Sequence, residues 1–397
     1  MSLSRVAAGA EPSATLALNA RAKKMAREGL DVVTFALGEP DFDTPDNIKQ
    51  AAHRAIQAGY TKYTPAAGMP RLRAAIAEKL EADNGLPYSP DQIIVCNGAK
   101  QALYMIMLCL VEEGDGVLLP APYWVSYAEQ VRFCGAEPVP VDTTGSELRL
   151  TAELLAGSID ERSKLLVLNS PCNPSGVVLA EAELRDITQV ALANGLWVIS
   201  DEVYEKLIYD DVQHASLAGF SEGAFERVIT VNGLSKTYAM TGWRVGYAAG
   251  PEEVIRAAVS IQSNTTSAPN SIAQRASIEA LTGPQETVEE MRSAFDERRR
   301  LMVNGLNDIP GIHCIMPEGA FYAFPDCSGL LGKSIGGKTL ESSMDLCEAL
   351  LEEAKIALTP GAAFGTEGYV RLSYATSTEN IEKGLSRLAE FAEKCED

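Results

Sequence analysis

From about residue 46 to residue 280 one pattern repeats: a short apolar run, often β-branched, followed by a segment with helical spacing. "QIIVCNG" leads into "AKQALYMIMLCLVEEG"; then come "GVLLPAP", "KLLVLNSP", a helical stretch near 180–194, "LWVISDE" and "RVITVNG". Runs this apolar belong to strands covered on both faces, and strands separated by helices pair in parallel. The pattern predicts an α/β fold, a large domain with a mostly parallel sheet flanked by helices. After residue 283 the texture changes. A long charged helix, "ETVEEMRSAFDERRRLMVNGL", precedes "GIHCIMP", "GAFYAFPD", a helix near 340–354, "KIALTPG", "YVRLSYAT" and a last helix that Ser377 or Thr378 can cap. The expected division is an arm that also joins the small domain (1–45), a large domain (46–283), and a smaller α/β domain (284–397) entered through the long helix.

Charge narrows the function. The 397 residues include 34 basic and 54 acidic side chains, a formal net charge of −20. Nucleic acid requires a basic face, so it is not an expected partner. The longest purely apolar run, "LYMIMLCLV" at 103–111, is too short to span a bilayer. Residues 1–20 hold no apolar core suited to a secretory signal, and Glu11 interrupts them. A cytoplasmic protein without membrane contact is expected. Eight cysteines without a CxxC pair are expected to be reduced thiols. Three histidines (His53, His214, His313) spread along the chain give a zinc site little support, and no metal is expected.

Polar residues gather where the strands are expected to end, the edge at which open α/β sheets bind ligands. In "LWVISDEVYEKL", Asp201 follows an apolar strand directly. It is either a helix cap or a buried carboxylate that needs a cationic partner. Tyr204 can present its hydroxyl to the same space. In "VCNGAKQAL", Gly98 and Ala99 open a helix whose free amides suit an anion, and Lys100 in its first turn opposes the macrodipole unless an anion is near. Asn173 in "NSPCNPSG" serves either the loop's shape or a ligand. Arg371 in "YVRLSYAT" lies on a solvated face or grips a carboxylate with its fork.

The stretch "NGLSKTYAMTGWRVGY" contains Lys236 and Arg244, and no other charge lies between Val228 and Pro251. Lys236 is either a surface residue or a desolvated amine able to form a Schiff base with an aldehyde. Together the candidates describe one ligand. It has a phosphate (Gly98, Ala99, Lys100, Arg244), a protonated ring nitrogen (Asp201), a phenolic oxygen (Tyr204, Asn173), an aldehyde (Lys236) and a flat ring for Trp124 in "PAPYWVSY". Pyridoxal phosphate has all of these parts. Arg371 would then hold a substrate α-carboxylate.

In this order the residues resemble the fold-type I pyridoxal-phosphate aminotransferases of the aspartate aminotransferase class I/II family. The resemblance runs from "GEPDFDTP" (38–45) through "KYTPAAG" (62–68), "NGAKQAL", "PAPYWVSY", "SPCNPSG", "SDEVYE" and "LSKTYAMTGWRVGY" to "YVRLSYAT". It implies that Lys236 carries the cofactor, Asp201 pairs with the pyridine nitrogen, and Tyr204 and Asn173 bond the ring oxygen. Trp124 would stack on the ring, Arg244 would bind the phosphate, and Arg371 with the Gly38 backbone would take the α-carboxylate. It also implies a homodimer with shared active sites, in which Tyr63 reaches the neighbouring subunit's phosphate.

The subgroup that "NGAKQ" and "PSAT" resemble reads a dicarboxylate side chain with a lysine and a threonine, here Lys100 and Thr15. The resemblance therefore implies transfer from L-aspartate to 2-oxoglutarate. Companion or alternative activities are aspartate/prephenate, aromatic or alanine transamination. A β-lyase or an aminocyclopropane-carboxylate synthase would share the cofactor residues. A ligand-sensing domain fused to a DNA-binding module is the reading from a different class, and no basic module precedes the fold here.

Overall fold

The computed structural model describes Ala7 and residues 14–396, with side chains described from Leu18 onward. Seven strands form the main sheet: β1 (Ile93–Cys96), β2 (Gly116–Ala121), β3 (Glu137–Asp142), β4 (Ser163–Asn169), β5 (Trp197–Asp201), β6 (Val228–Gly233) and β7 (Gly246–Ala249). Their spatial order is β1-β7-β6-β5-β4-β2-β3. β2 to β6 pair in parallel with one another, and β7 alone runs antiparallel, to both β1 and β6.

Successive residues of a strand face opposite sides of the sheet, and here both sides are covered. Ile93, Val95, Leu118, Leu166, Leu168, Val198 and Val228 pack into one apolar layer with the helices Asp46–Gln57, Pro70–Asn84 and Glu181–Ala193. Their neighbours Ile94, Cys96, Val117, Leu119, Leu165, Val167, Ile199 and Ile229 pack into the other, against Ala99–Leu110 and Glu252–Thr265. Double burial is why these strands read as continuous apolar runs.

A separate core joins the two ends of the chain. Val33–Thr34 pairs in parallel with Ile356–Ala357, and Ser373 N donates to Phe35 O at 2.8 Å. Tyr322–Ala323, Thr359–Pro360 and Val370–Ser373 make a three-stranded antiparallel sheet. The helix Glu286–Asn307 buries Val288, Met291, Phe295, Met302, Val303 and Leu306, a stripe at helical spacing. Val203, Tyr204, Leu207 and Tyr209, from the middle of the chain, also pack in this second core. Ser377 caps the last helix, accepting from Asn380 N. "GIHCIMP" adds only an isolated bridge, His313 to Asp326. Among the described residues no helix is long and apolar enough to cross a membrane, and all eight thiols are free.

Candidate active site

Register brings the functional residues to one edge. Asn169 pairs with Asp201 across β4 and β5, and Cys96 and Gly233 both pair with Gly246. The carboxyl ends of β1, β4, β5 and β6 therefore lie side by side. Because β7 is reversed, Arg244, two residues before it, arrives at that same edge. A cavity of about 410 Å³ opens there, lined by Gly38, Ala99, Lys100, Trp124, Asn173, Asp201, Tyr204, Lys236, Arg244 and Arg371, all expected from sequence.

Asp201 is 3% exposed. Its carboxylate accepts from the Tyr127 hydroxyl at 2.6 Å and from Val203 N at 3.3 Å, and no cation pairs with it among the described residues. Loss of water raises its pKa to about 6, although these two donors pull the other way. Lys236 follows β6, and its amine donates to the Gly38 carbonyl. It also lies 5.5 Å from the Phe321 ring centroid. Burial first, then the positive charges of Arg371 and Arg244, lower its pKa to about 8.

Arg371 is the converse of Asp201, a cation 7% exposed with no carboxylate beside it among the described residues. It donates to Asn173 Oδ1 at 3.0 Å and to Ala36 O at 2.9 Å, and its Nε has no partner. The strand Val370–Ser373 is buried throughout, so the face opposite Val370 and Leu372 turns inward rather than to solvent. Tyr204 meets the Tyr322 hydroxyl at 2.9 Å. Lys100 Nζ sits 4.7 Å from the Trp124 ring centroid. Burial and the charge of Arg244 hold its pKa below the usual lysine range.

Gly98 takes φ +83°, and a Cβ there would stand 2.4 Å from an Arg244 guanidinium nitrogen. No side chain caps the helix that follows. Arg244 itself is exposed and, among the described residues, bonds the carbonyls of Thr241 (2.9 Å) and Asn97 (3.4 Å). Uncapped amides beside an arginine held by carbonyls make an anion site.

Two candidates stand apart. Tyr63 is 99% exposed and does not line this cavity. Thr15 lies on the helix Ala14–Arg27, but its side chain, like Glu11, falls outside the described residues. Sequence reasoning missed Tyr127, Tyr322 and Asn169, which line the cavity. Of these, only Tyr127 carried a local signal, one helical turn beyond Trp124 in the same motif.

The donor set fits pyridoxal phosphate. The buried carboxylate without a cation matches a protonated ring nitrogen, the Gly98–Arg244 cradle matches a phosphate, and the desolvated amine matches an aldehyde. Known proteins agree. Residues 30–388 match the family described as aminotransferase class I and II. The chain is 45% identical over 394 residues to an aspartate aminotransferase of Geobacillus stearothermophilus, covering 99% of each. It is 47% identical over 393 residues to an aspartate/prephenate aminotransferase of Cereibacter sphaeroides, covering 98% of each. The crystal structure of the aspartate aminotransferase from Rhizobium meliloti superposes with a TM-score of 0.96 at 44% identity over the whole of both chains.

Proposed function

The chain belongs to the class I and II aminotransferases, and from that premise we propose that it moves the amino group of L-aspartate to 2-oxoglutarate, giving oxaloacetate and L-glutamate. One observation carries the reading: a buried acid without a cation, Asp201, and a buried cation without an acid, Arg371, line the same cavity as a desolvated lysine. Each needs a ligand group of opposite charge, and a cofactor with a ring nitrogen plus an amino acid supplies both.

When bound, pyridoxal phosphate supplies an aldehyde for the amino group and a ring that accepts the electron pair left at the substrate's Cα. Asp201 holds a proton at the ring nitrogen. Arg244 and the amides at Ala99 and Lys100 would hold the phosphate, Trp124 would pack on the ring, and Tyr204 and Asn173 would bond the ring oxygen. Arg371 turns its fork to the α-carboxylate beside Gly38, and this orients the Cα–H bond toward Lys236. Lys236 Nζ would take the proton from Cα and return it to the former aldehyde carbon, on the far side of the amino nitrogen. Its lowered pKa suits both halves of that transfer. Lys100 and Thr15 take the side-chain carboxylate.

We also read residues 46–283 as the cofactor domain, residues 284–397 with the arm 1–45 as the domain that closes on substrate, and the working enzyme as a cytoplasmic homodimer. Prephenate is a companion amino acceptor on this reading, supported by the 47% identity to the relative named for both substrates. The test is the absorbance of the cofactor-loaded protein before and after L-aspartate, with no acceptor present. Conversion of the visible band to that of the amine form of the cofactor is expected. A band that aspartate leaves unchanged, but alanine or an aromatic amino acid converts, overturns the choice of donor. Release of ammonia and pyruvate in place of glutamate overturns transamination.

A further inference from the structure

Behind the sheet edge that carries Asp201 lies a second buried polar cluster, which the reaction as derived does not use. Glu202 and Glu205 are both buried. Neighbouring residues at a strand end point to opposite sides. While Asp201 turns to Tyr127 and the cavity, Glu202 therefore turns to the helix Pro70–Asn84 and the loop of His214 and Ser216.

Glu202 accepts from Ser200 Oγ at 2.8 Å, Ser216 Oγ at 2.6 Å, His214 Nε2 at 3.1 Å and Asn84 Nδ2 at 3.5 Å. Glu205 accepts from Asn84 Nδ2 at 2.7 Å and pairs with the Lys79 ammonium. Glu202, Glu205 and His214 are close enough to ligate a cation. The Lys79 ammonium already supplies positive charge there, and every carboxylate oxygen has a donor, so the arrangement is an anchor. The backbone between is equally tied: Glu202 N donates to Val231 O (2.9 Å), Glu205 N to Glu202 O (3.0 Å) and Leu207 N to Tyr204 O (2.8 Å). Asp201, Val203 and Tyr204 thus face the cavity from a turn whose two glutamates, Glu202 and Glu205, are fastened on the far side.

We infer that Glu202 is a positioning residue for the reaction: anchored by Ser200, Ser216, His214 and Asn84, it fixes the turn Asp201–Glu205 so that Asp201 and Tyr204 meet the cofactor ring in one orientation. The inference rests on the reading of the cavity as a pyridoxal-phosphate site. Truncating Glu202 takes that acceptor from Ser200, Ser216, His214 and Asn84, of which the two serines are buried, and the turn must shift to reach others.

The experiment compares Glu202→Ala with Glu202→Gln, which keeps the shape and most of the hydrogen bonds, in the full-length enzyme. Three readouts are taken: kcat and KM for L-aspartate per loaded site, the visible circular dichroism of the bound cofactor, and the affinity of the cofactor-free protein for pyridoxal phosphate. A displacement on the order of 1 Å at a reacting group costs up to about 100-fold, so Glu202→Ala is expected to lower kcat by about 10- to 100-fold. The dichroism per bound cofactor should fall by about half or more and the affinity by about 5-fold, with KM changed by less than about 3-fold because Arg371 lies outside the network. Glu202→Gln should restore the dichroism and most of kcat. A Glu202→Ala enzyme with wild-type dichroism and kcat, altered only in thermal midpoint, overturns the inference. Equal losses in the two variants also overturn it, because charge and not anchorage would then be at work. Should Glu202→Ala not fold, Ser216→Ala and His214→Ala, each removing one donor to the same oxygen, carry the comparison, with kcat about 3-fold lower expected. Wild-type protein that takes up no pyridoxal phosphate would instead sink the reading of the site itself.

Discussion

Asp201 and Lys236 are displaced in opposite directions by one cause, the removal of water from around a charge. The Asp201 carboxyl moves from an ordinary 3.8 to about 6, and the Lys236 amine from 10.5 to about 8. In the cofactor-free protein both shifts oppose folding, each over its own window. Between about pH 4 and 6 the folded chain keeps the Asp201 proton that the unfolded chain has released, so stability falls as pH rises through that range. Lys236 carries its penalty below about pH 8 and returns it as pH rises toward the unfolded value, where the folded amine is already neutral. Asp201→Asn keeps the hydrogen bond from Tyr127 but cannot ionise. Cofactor-free Asp201→Asn is therefore expected to exceed wild type by on the order of 2 kcal/mol in urea at pH 7.5, and by much less at pH 4.5, while turnover is lost. A stability difference that does not change with pH would mean that Asp201 ionises freely in the fold. Lys236→Ala should fold and bind the cofactor non-covalently, with kcat at least about 10³-fold lower, since the proton at Cα loses its acceptor. Steady-state kinetics and absorbance on the same preparation check both halves of that expectation.

Where elements meet, backbone contact decides what a substitution costs. A Cβ on Gly246, the first residue of β7, would lie 2.2 Å from Ala99 N and 2.6 Å from Gly98 C. Those atoms belong to the helix start that forms the anion cradle, and backbone does not yield as a side chain does. Gly246→Ala should therefore cost on the order of 3 kcal/mol in chemical denaturation and weaken pyridoxal-phosphate binding by about 10-fold or more. Unchanged binding would separate β7 from the cradle. The same junction explains what sequence could and could not reveal. Strands β1, β2, β4, β5 and β6 announce themselves, because burial on both faces makes them uniformly apolar. β7, "GYAA", does not, since it is short, it has no β-branched residue, and close approach to Ala99 demands glycine at its first position. β3, "EPVPVD", hides behind two prolines, which its place at the sheet edge tolerates. Lys236, Arg244 and Arg371 were legible because an isolated charge in an apolar stretch is a local anomaly, and Asp201 because it follows an apolar strand directly. Tyr322 and Asn169 were not, because an ordinary residue gains a role only when register or a remote segment sets it beside the cavity. His214 is a further case, brought against Glu202 by the fold alone.

At the scale of the molecule several exposed apolar side chains, Tyr63 above all, have no explanation within a single chain. Tyr63 is 99% exposed, Ile56 52%, and Tyr60 and Leu37 39% each. Leu37 adjoins Gly38, which lines the cavity. A large aromatic left wholly in water suits an interface better than a free surface. On the dimer reading, Tyr63 completes the phosphate site of the neighbouring subunit, and subunit mixing tests this directly. Tyr63→Ala keeps its own Lys236, while Lys236→Ala keeps its own Tyr63, and each homodimer should be weakly active or inactive. In a heterodimer of the two, the site with an intact Lys236 receives an intact Tyr63 from the other chain. Random reassortment at equal concentrations makes about half the dimers mixed, so about a quarter of all sites should regain wild-type activity. If Tyr63 served its own chain, mixing would restore nothing, because no site would contain both residues. Undiminished activity of the Tyr63→Ala homodimer would remove the tyrosine from the phosphate site altogether. Recovery on mixing has one further consequence. It requires two chains for every working site, which ties cofactor retention to dimer concentration and makes dilution of the enzyme a second, independent route to the same loss.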